Sequence, residues 1–204
     1  MPGSKGERTL QKQFGTMKRA AAFYDNQMLD HINHVMTVFM EKQEMVFLST
    51  ADAGGNCDSS FRGGPPGFVR VINEKTIIYP EYKGNGVMAS LGNLLENPHI
   101  GLMFIDFFEH SIGLHVNGDA SILENDQLAS LKIPEEQMND IKEKEGDKPE
   151  RWVVINVEEA YIHCSKHIPK FKPLDKEIQW GTDDQKQKGG DFFNAKQSKK
   201  DQKL

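Results

Sequence analysis

The sequence predicts a mainly β fold, a closed antiparallel barrel with flanking helices and an N-terminal helical arm. Three observations carry this. Short apolar runs of strand length recur between residues 45 and 163, separated by Gly, Pro, Asn and Asp turn signals. Sustained helical periodicity comes before residue 44. After Pro173 hydrophobic content falls and Lys, Gln and Asp dominate. The chain thus divides into a helical arm (1–44), a barrel domain (45–172) and a polar, mobile tail (173–204), in which Trp180 and Phe192-Phe193 are the side chains able to dock. No internal repeat is evident.

In the arm, Phe14, Met17, Ala21 and Tyr24, then Met28, Leu29, Ile32, Met36 and Phe39, recur at close to helical spacing. Tyr24-Asp25-Asn26 reads as a break between two helices, with Asp25 or Asn26 as N-cap. The apolar stripe needs a surface to pack on. Residues 45–50 (MVFLST) form a strand, Ala-Asp-Ala-Gly-Gly-Asn a hairpin turn, and residues 57–61 its partner. Residues 68–72 and 76–79 pair across Asn73-Glu74-Lys75. A helix over 86–96 stops at Asn97-Pro98. Residues 99–105 are a strongly apolar strand, and 112–116 and 119–123 two strands around Asn117-Gly118. Residues 127–145 are polar and helical, interrupted by Pro134; 152–157 and 160–163 are the last strands.

The bulk properties narrow the function classes. A chain of 204 residues with 37% hydrophobic and 27% charged residues suits one domain with appendages, and a mean hydropathy of -0.59 places part of it outside the core. A net charge of -5 argues against general nucleic-acid binding. Two cysteines, Cys57 and Cys164, build neither a disulfide framework nor a four-cysteine zinc site. Reduced thiols, the lack of a signal-peptide core and the lack of a long apolar run lead to the expectation of a cytoplasmic protein without a membrane segment.

The most informative stretch is residues 57–97. Arg62-Gly63-Gly64-Pro65-Pro66-Gly67 joins glycines that permit close backbone approach to a guanidinium. Arg70, if inward, needs a charge partner, either a phosphate or Glu81. Tyr82-Lys83-Gly84-Asn85-Gly86 precedes a helix, where Lys83 and helix N–H groups can converge on an anion; Ser90 and Asn93 either face the same place or cap and pack. No P-loop ending and no dinucleotide fingerprint is present. His115 is either a satisfied core or interface histidine or a cofactor contact. His163-Cys164-Ser165-Lys166-His167 offers zinc or copper ligands but has no second ligand cluster, so no metal site is assigned. No catalytic triad and no glycosidase-type acid pair can be placed.

With SSFRGGPPGFVRV, IIYPEYKGNG, SLGNLLENPHIGLMFID and LHVNG in view, the sequence resembles the pyridoxamine 5′-phosphate oxidase-like split-barrel flavoproteins over about residues 45–123, with a weaker echo at 152–170. The resemblance implies a six-stranded split barrel, a homodimer with FMN at its interface, a small-molecule substrate, and hydride transfer by an FMN-dependent oxidoreductase. It places the flavin phosphate against Arg62, Arg70, Lys83 and Asn85, with Ser90 beside them. Gly63, Gly64 and Tyr82 belong to the two turns. The backbone of Phe68 and Val69 would run along the ring, and His115 would lie near the substrate side. The Arg70 match depends on a one-residue shift. Two departures stand out: Gly84-Asn85-Gly86 replaces the Ser-Arg-Lys run of true oxidases, and YIHCSKHIPKF replaces their terminal arginine- and histidine-bearing segment. The alternative is therefore a flavin, haem or deazaflavin binding protein without pyridoxamine phosphate oxidase activity, with His115, His163 or His167 as haem ligands.

Overall fold

The structure, a computed structural model, describes residues 2–201. Met1 and the last three residues of the expected tail lie outside the described residues. The arm contains α1 (Lys5–Gln13), α2 (Met17–Gln27), a short strand β1 (Met28–Leu29) and α3 (His34–Met40). Ser4 and Glu7 form a capping box that starts α1. The expected break at Tyr24-Asp25-Asn26 is displaced. These residues stay inside α2, where the Asn26 amide donates back to the Ala22 carbonyl at 2.6 Å. The chain leaves the helix at Met28 because Met28 and Leu29 pair antiparallel with Tyr161 and Ala160. The cap of the following helix is Asn33, whose Oδ1 accepts the Met36 N–H at 2.9 Å.

The remaining strands are β2 (Met45–Ala51), β3 (Cys57–Gly63), β4 (Arg70–Asn73), β5 (Thr76–Tyr82), β6 (His99–Asp106), β7 (Ile112–Leu123) and β8 (Pro149–His163). They form one antiparallel sheet of eight strands in the order β3-β2-β6-β7-β8-β5-β4, with β1 added to β8. The resemblance implies six strands, and the strand-by-strand reading of the sequence nine. Among the described residues no ladder joins the end strands β3 and β4. The two strands expected around Asn117-Gly118 are one long strand, and so are the two expected at the end of the domain. Asn117-Gly118 is a β-bulge where the register against β8 shifts, and Glu158 is the extra residue opposite it. A Cβ at Gly118 would lie 2.1 Å from the Asn156 carbonyl oxygen. Glycine there marks a close backbone approach within a strand, which in sequence looks like a turn.

Helix α4 (Ala89–Glu96) packs on β2, β3 and β7. The main core lies between it and the inward residues of β2, β5, β6, β7 and β8, among them Leu48, Tyr79, Phe104 and Ile155. The opposite face of β5 is buried too. Ile78 and Trp152 form a second cluster with Leu128 of a 3₁₀ turn (Asn125–Ser130) and Ile141 of α5 (Glu135–Lys144). Strand β5 is therefore buried along nearly its whole length, with Ile77 and Tyr79 entering one core and Ile78 the other.

Candidate functional site

A pocket of about 550 Å³ opens between β3, the end of β5, the following loop, the start of α4 and the start of β8. Its wall brings together Arg62, Gly63, Tyr82, Lys83, Asn85 and Ser90, all singled out in the sequence. The helix expected from residue 86 begins three residues later, at Ala89. Met88 precedes it with φ 56°, a left-handed backbone conformation that cannot continue a helix, and no side chain caps the helix start. Asn85 orders the loop instead, its Oδ1 accepting the Val87 N–H at 2.9 Å. Uncapped first-turn N–H groups beside Ala89, Ser90 and Leu91 thus border the pocket and favour an anion.

The charges around this helix start are balanced. Arg62, Lys83 and Arg151 face Asp58, Glu81 and Glu150. Arg62 Nε donates to Glu81 Oε1 at 2.9 Å. Burial pushes the Glu81 carboxyl above its ordinary range, although Arg62 acts in the opposite sense. Lys83 Nζ lies 2.7 Å from Asp183 Oδ2, and this hydrogen bond raises the lysine pKa. Ser90 Oγ lies 2.8 Å from Asp58 Oδ2 and 3.1 Å from Ser60 Oγ, so its hydroxyl is held within a small polar network at the pocket wall. Asn93 is turned away and donates to Thr50 Oγ1 at 3.0 Å.

The other sequence-selected residues lie elsewhere. Phe68 and Val69 are buried in the main core. Gly64 is buried against Phe68. Arg70 faces the second cluster, as does its cross-strand partner Ile78. There it pairs with Glu145 at 3.0 Å and Asp140 at 3.2 Å and donates to the Phe68 carbonyl. Arg70 has the charge partner that burial demands, but that partner is α5 and the residue after it. Glu81 serves Arg62 instead. His115 lies on another part of the sheet, its Nε2 2.9 Å from His163 Nδ1 and its ring stacked on Tyr161.

Sequence reasoning missed Asp58 and Arg151 in the pocket wall and Asp183 on Lys83; Arg151 and Asp183 come from segments remote in sequence, whereas Asp58 lies on the same strand as Arg62. The alternation of β3 was the available signal for Asp58: it shares a face with Ser60 and Arg62. Among the described residues His163, Cys164 and His167 do not converge. His99, Asp119 and Glu158 do, but they lie on the sheet surface and the His99 ring nitrogen is already held by Asp119 at 2.8 Å.

The sequence model of the family described as Pyridoxamine 5′-phosphate oxidase matches residues 32–164, well over half of the chain. The chain belongs to the pyridoxamine 5′-phosphate oxidase family. The matched span contains every strand from β2 to β8, both turns of the pocket and α4. No curated protein matches the chain significantly. Among solved structures, HupZ of Group A Streptococcus is similar at 22% identity and a TM-score of 0.49, covering 64% of this chain and 93% of its own. HutZ, the heme storage protein of Vibrio cholerae, is similar at 16% identity and a TM-score of 0.43, covering 63% and 92%. General stress protein 26 of Bacillus anthracis is similar at 17% and 0.41, covering 62% and 88%. No helix among the described residues is long and apolar enough to cross a membrane, and Cys57 and Cys164 are free and exposed.

Proposed function

We propose that this member of the pyridoxamine 5′-phosphate oxidase family binds a phosphate-bearing flavin, FMN or a deazaflavin, in the pocket beside α4, and that it does not oxidise pyridoxamine phosphate. One observation carries the proposal: the uncapped start of α4 shares a single cavity with Arg62 and Lys83. Two cations and convergent N–H donors suit a phosphate monoester. A volume of about 550 Å³ lies within the ordinary range for cofactor pockets. Lys83, Asn85 and the first turn of α4 would hold the phosphate, with Arg62 released from Glu81 to join them. Phe61 and Tyr82 supply apolar and aromatic surface for the rest of the ligand. A bound flavin would supply hydride exchange at N5; the chain's own residues bind, orient and shield it. Against oxidase activity stands Gly84-Asn85-Gly86 in the second turn, where true oxidases carry Ser-Arg-Lys.

The resemblance further implies that two split barrels assemble as a homodimer with the flavin between them. Sedimentation of the purified chain with and without FMN tests this. For the cofactor itself, the decisive experiment is a visible spectrum followed by FMN titration of the chain and of Lys83→Ala. Flavin absorbance or saturable uptake, weakened by the substitution, supports the proposal. A colourless protein that takes up no FMN overturns it.

A second reading has its own observation. Burial, with the neighbouring His163, lowers the His115 pKa and keeps its ring neutral, the form that ligates iron. Haem held by His115 or His163 would give a Soret band that is lost when the ligating one of the two histidines is replaced.

A further inference from the structure

Among the described residues after Pro173, all are exposed except Trp180, Gly181 and Thr182. The first two lie against residues of the pocket wall. Trp180 covers Gly63 of β3, its Cζ3 standing 3.1 Å from where a Cβ on that glycine would be. Gly181 lies against Tyr82 and Lys148, so close that a side chain there would meet both. The Gln179 carbonyl accepts the Thr182 N–H at 3.1 Å, which turns the chain, and the Thr182 hydroxyl accepts the Asp184 N–H at 3.2 Å. That turn delivers Asp183 to the pocket lysine: Oδ2 lies 2.7 Å from Lys83 Nζ, and Oδ1 lies 3.0 Å from Lys188 Nζ.

A carboxylate held by two ammonium groups occupies the chemical role of a phosphate. It is acceptor-only, singly charged and placed on the cation that an incoming phosphate needs. We propose that residues 180–188 form a self-blocking strap, in which Asp183 occupies Lys83 until a phosphate-bearing ligand displaces it. The proposal rests on the pocket being the phosphate site. Trp180 is the hinge-side anchor and Asp183 the exchangeable contact. The ion pair is exposed on both sides, so the block is weak and ligand-reversible rather than permanent. The hydrogen bond to Lys83, then that to Lys188, holds the Asp183 carboxyl below its ordinary range, so the contact persists at neutral pH.

The experiment compares the full chain with Asp183→Asn, titrating each with FMN and with riboflavin, which lacks the phosphate. Hydrogen exchange of the amides of residues 180–188 is followed in the same samples. The expected result is FMN binding roughly two- to fivefold tighter in Asp183→Asn, as befits loss of an exposed competing ion pair. Riboflavin affinity stays unchanged, and exchange in the strap of the full chain quickens when FMN is added. Equal FMN affinity in the two chains, with exchange in the strap unchanged or slowed by FMN, overturns the strap and leaves the pocket standing. Failure of FMN to bind either chain overturns the pocket reading and the strap with it.

Discussion

Arg62 and Arg70 flank the same glycine- and proline-rich turn and end in opposite surroundings. Arg62 lines an open pocket with its side chain 23% exposed, opposite Glu81 at 9%. Arg70 is 5% exposed and meets Glu145 at 0%. The cause is strand parity. Val69 turns into the main core and Arg70, one residue on, turns to the other face of the sheet beside Ile78. Glu145, just after α5, is placed to neutralise it, and Glu145 also accepts the Tyr82 hydroxyl. The two arginines thus have different tasks. One stays near solvent, paired but exchangeable. The other is fixed inside, joining the second layer to the sheet.

That contrast sets an order of effects. Arg70→Ala strands a fully buried carboxylate and should cost about 3–5 kcal/mol of stability in urea unfolding; a loss under 1 kcal/mol would mean that Arg70 is as replaceable as a surface arginine. Next comes the turn between the two. A Cβ at Gly64 would stand 2.4 Å from Phe68 Cγ, and Phe68 is buried. Gly64→Ala should therefore cost about 1–3 kcal/mol as Phe68 is forced to shift; an unchanged denaturation midpoint would show that the turn can relax. On the pocket side, Lys83→Ala should leave stability within about 0.5 kcal/mol while weakening FMN binding roughly tenfold or more. Equal losses of stability in Lys83→Ala and Arg70→Ala would erase the distinction.

The smallest effect is one of pH. Burial raises the folded-state pKa of Glu81 above the unfolded value. A carboxyl of this kind contributes fully below the unfolded-state pKa, and its contribution is lost as pH rises through the folded one. Urea midpoints should thus fall slightly with pH just above the ordinary carboxylate range. In Glu81→Gln that portion of the slope should vanish, and an identical slope in both chains would show that Glu81 is not responsible.

Much of the fold was legible because periodicity and turn chemistry report local structure. The strands β2, β5 and β6 lie where apolar runs predicted them, β3 where the hairpin turn after β2 predicted its partner, and Asn97-Pro98 follows α4 as a stop signal should. The errors share a cause. Asn117-Gly118 reads as a turn by composition, yet β8 runs alongside through the bulge and keeps the strand whole. The break in the arm moved to Met28 because β8 recruited those residues. Pairing with a distant strand decided each case, and no local pattern encodes it. In the pocket, the two turns that supply Arg62, Lys83 and Asn85 were legible as glycine-rich segments with cations. Arg151 and Asp183 were not, since they arrive through β8 and through the tail; Asp58 was readable from the alternation of β3 with Ser60 and Arg62.

The sequence by itself determined an antiparallel β domain with a helical arm, the residues of two cation-bearing turns and the family to which they belong. Alternation, capping and glycine placement are short-range consequences of backbone geometry, readable a few residues at a time. Tertiary structure alone decided which arginine faces the pocket and which the buried cluster beneath α5. It also brought Trp180 onto Gly63 and Asp183 onto Lys83. A side chain's face follows from register, and its partner from the packing of segments far apart in the chain. Neither is fixed until the sheet has assembled.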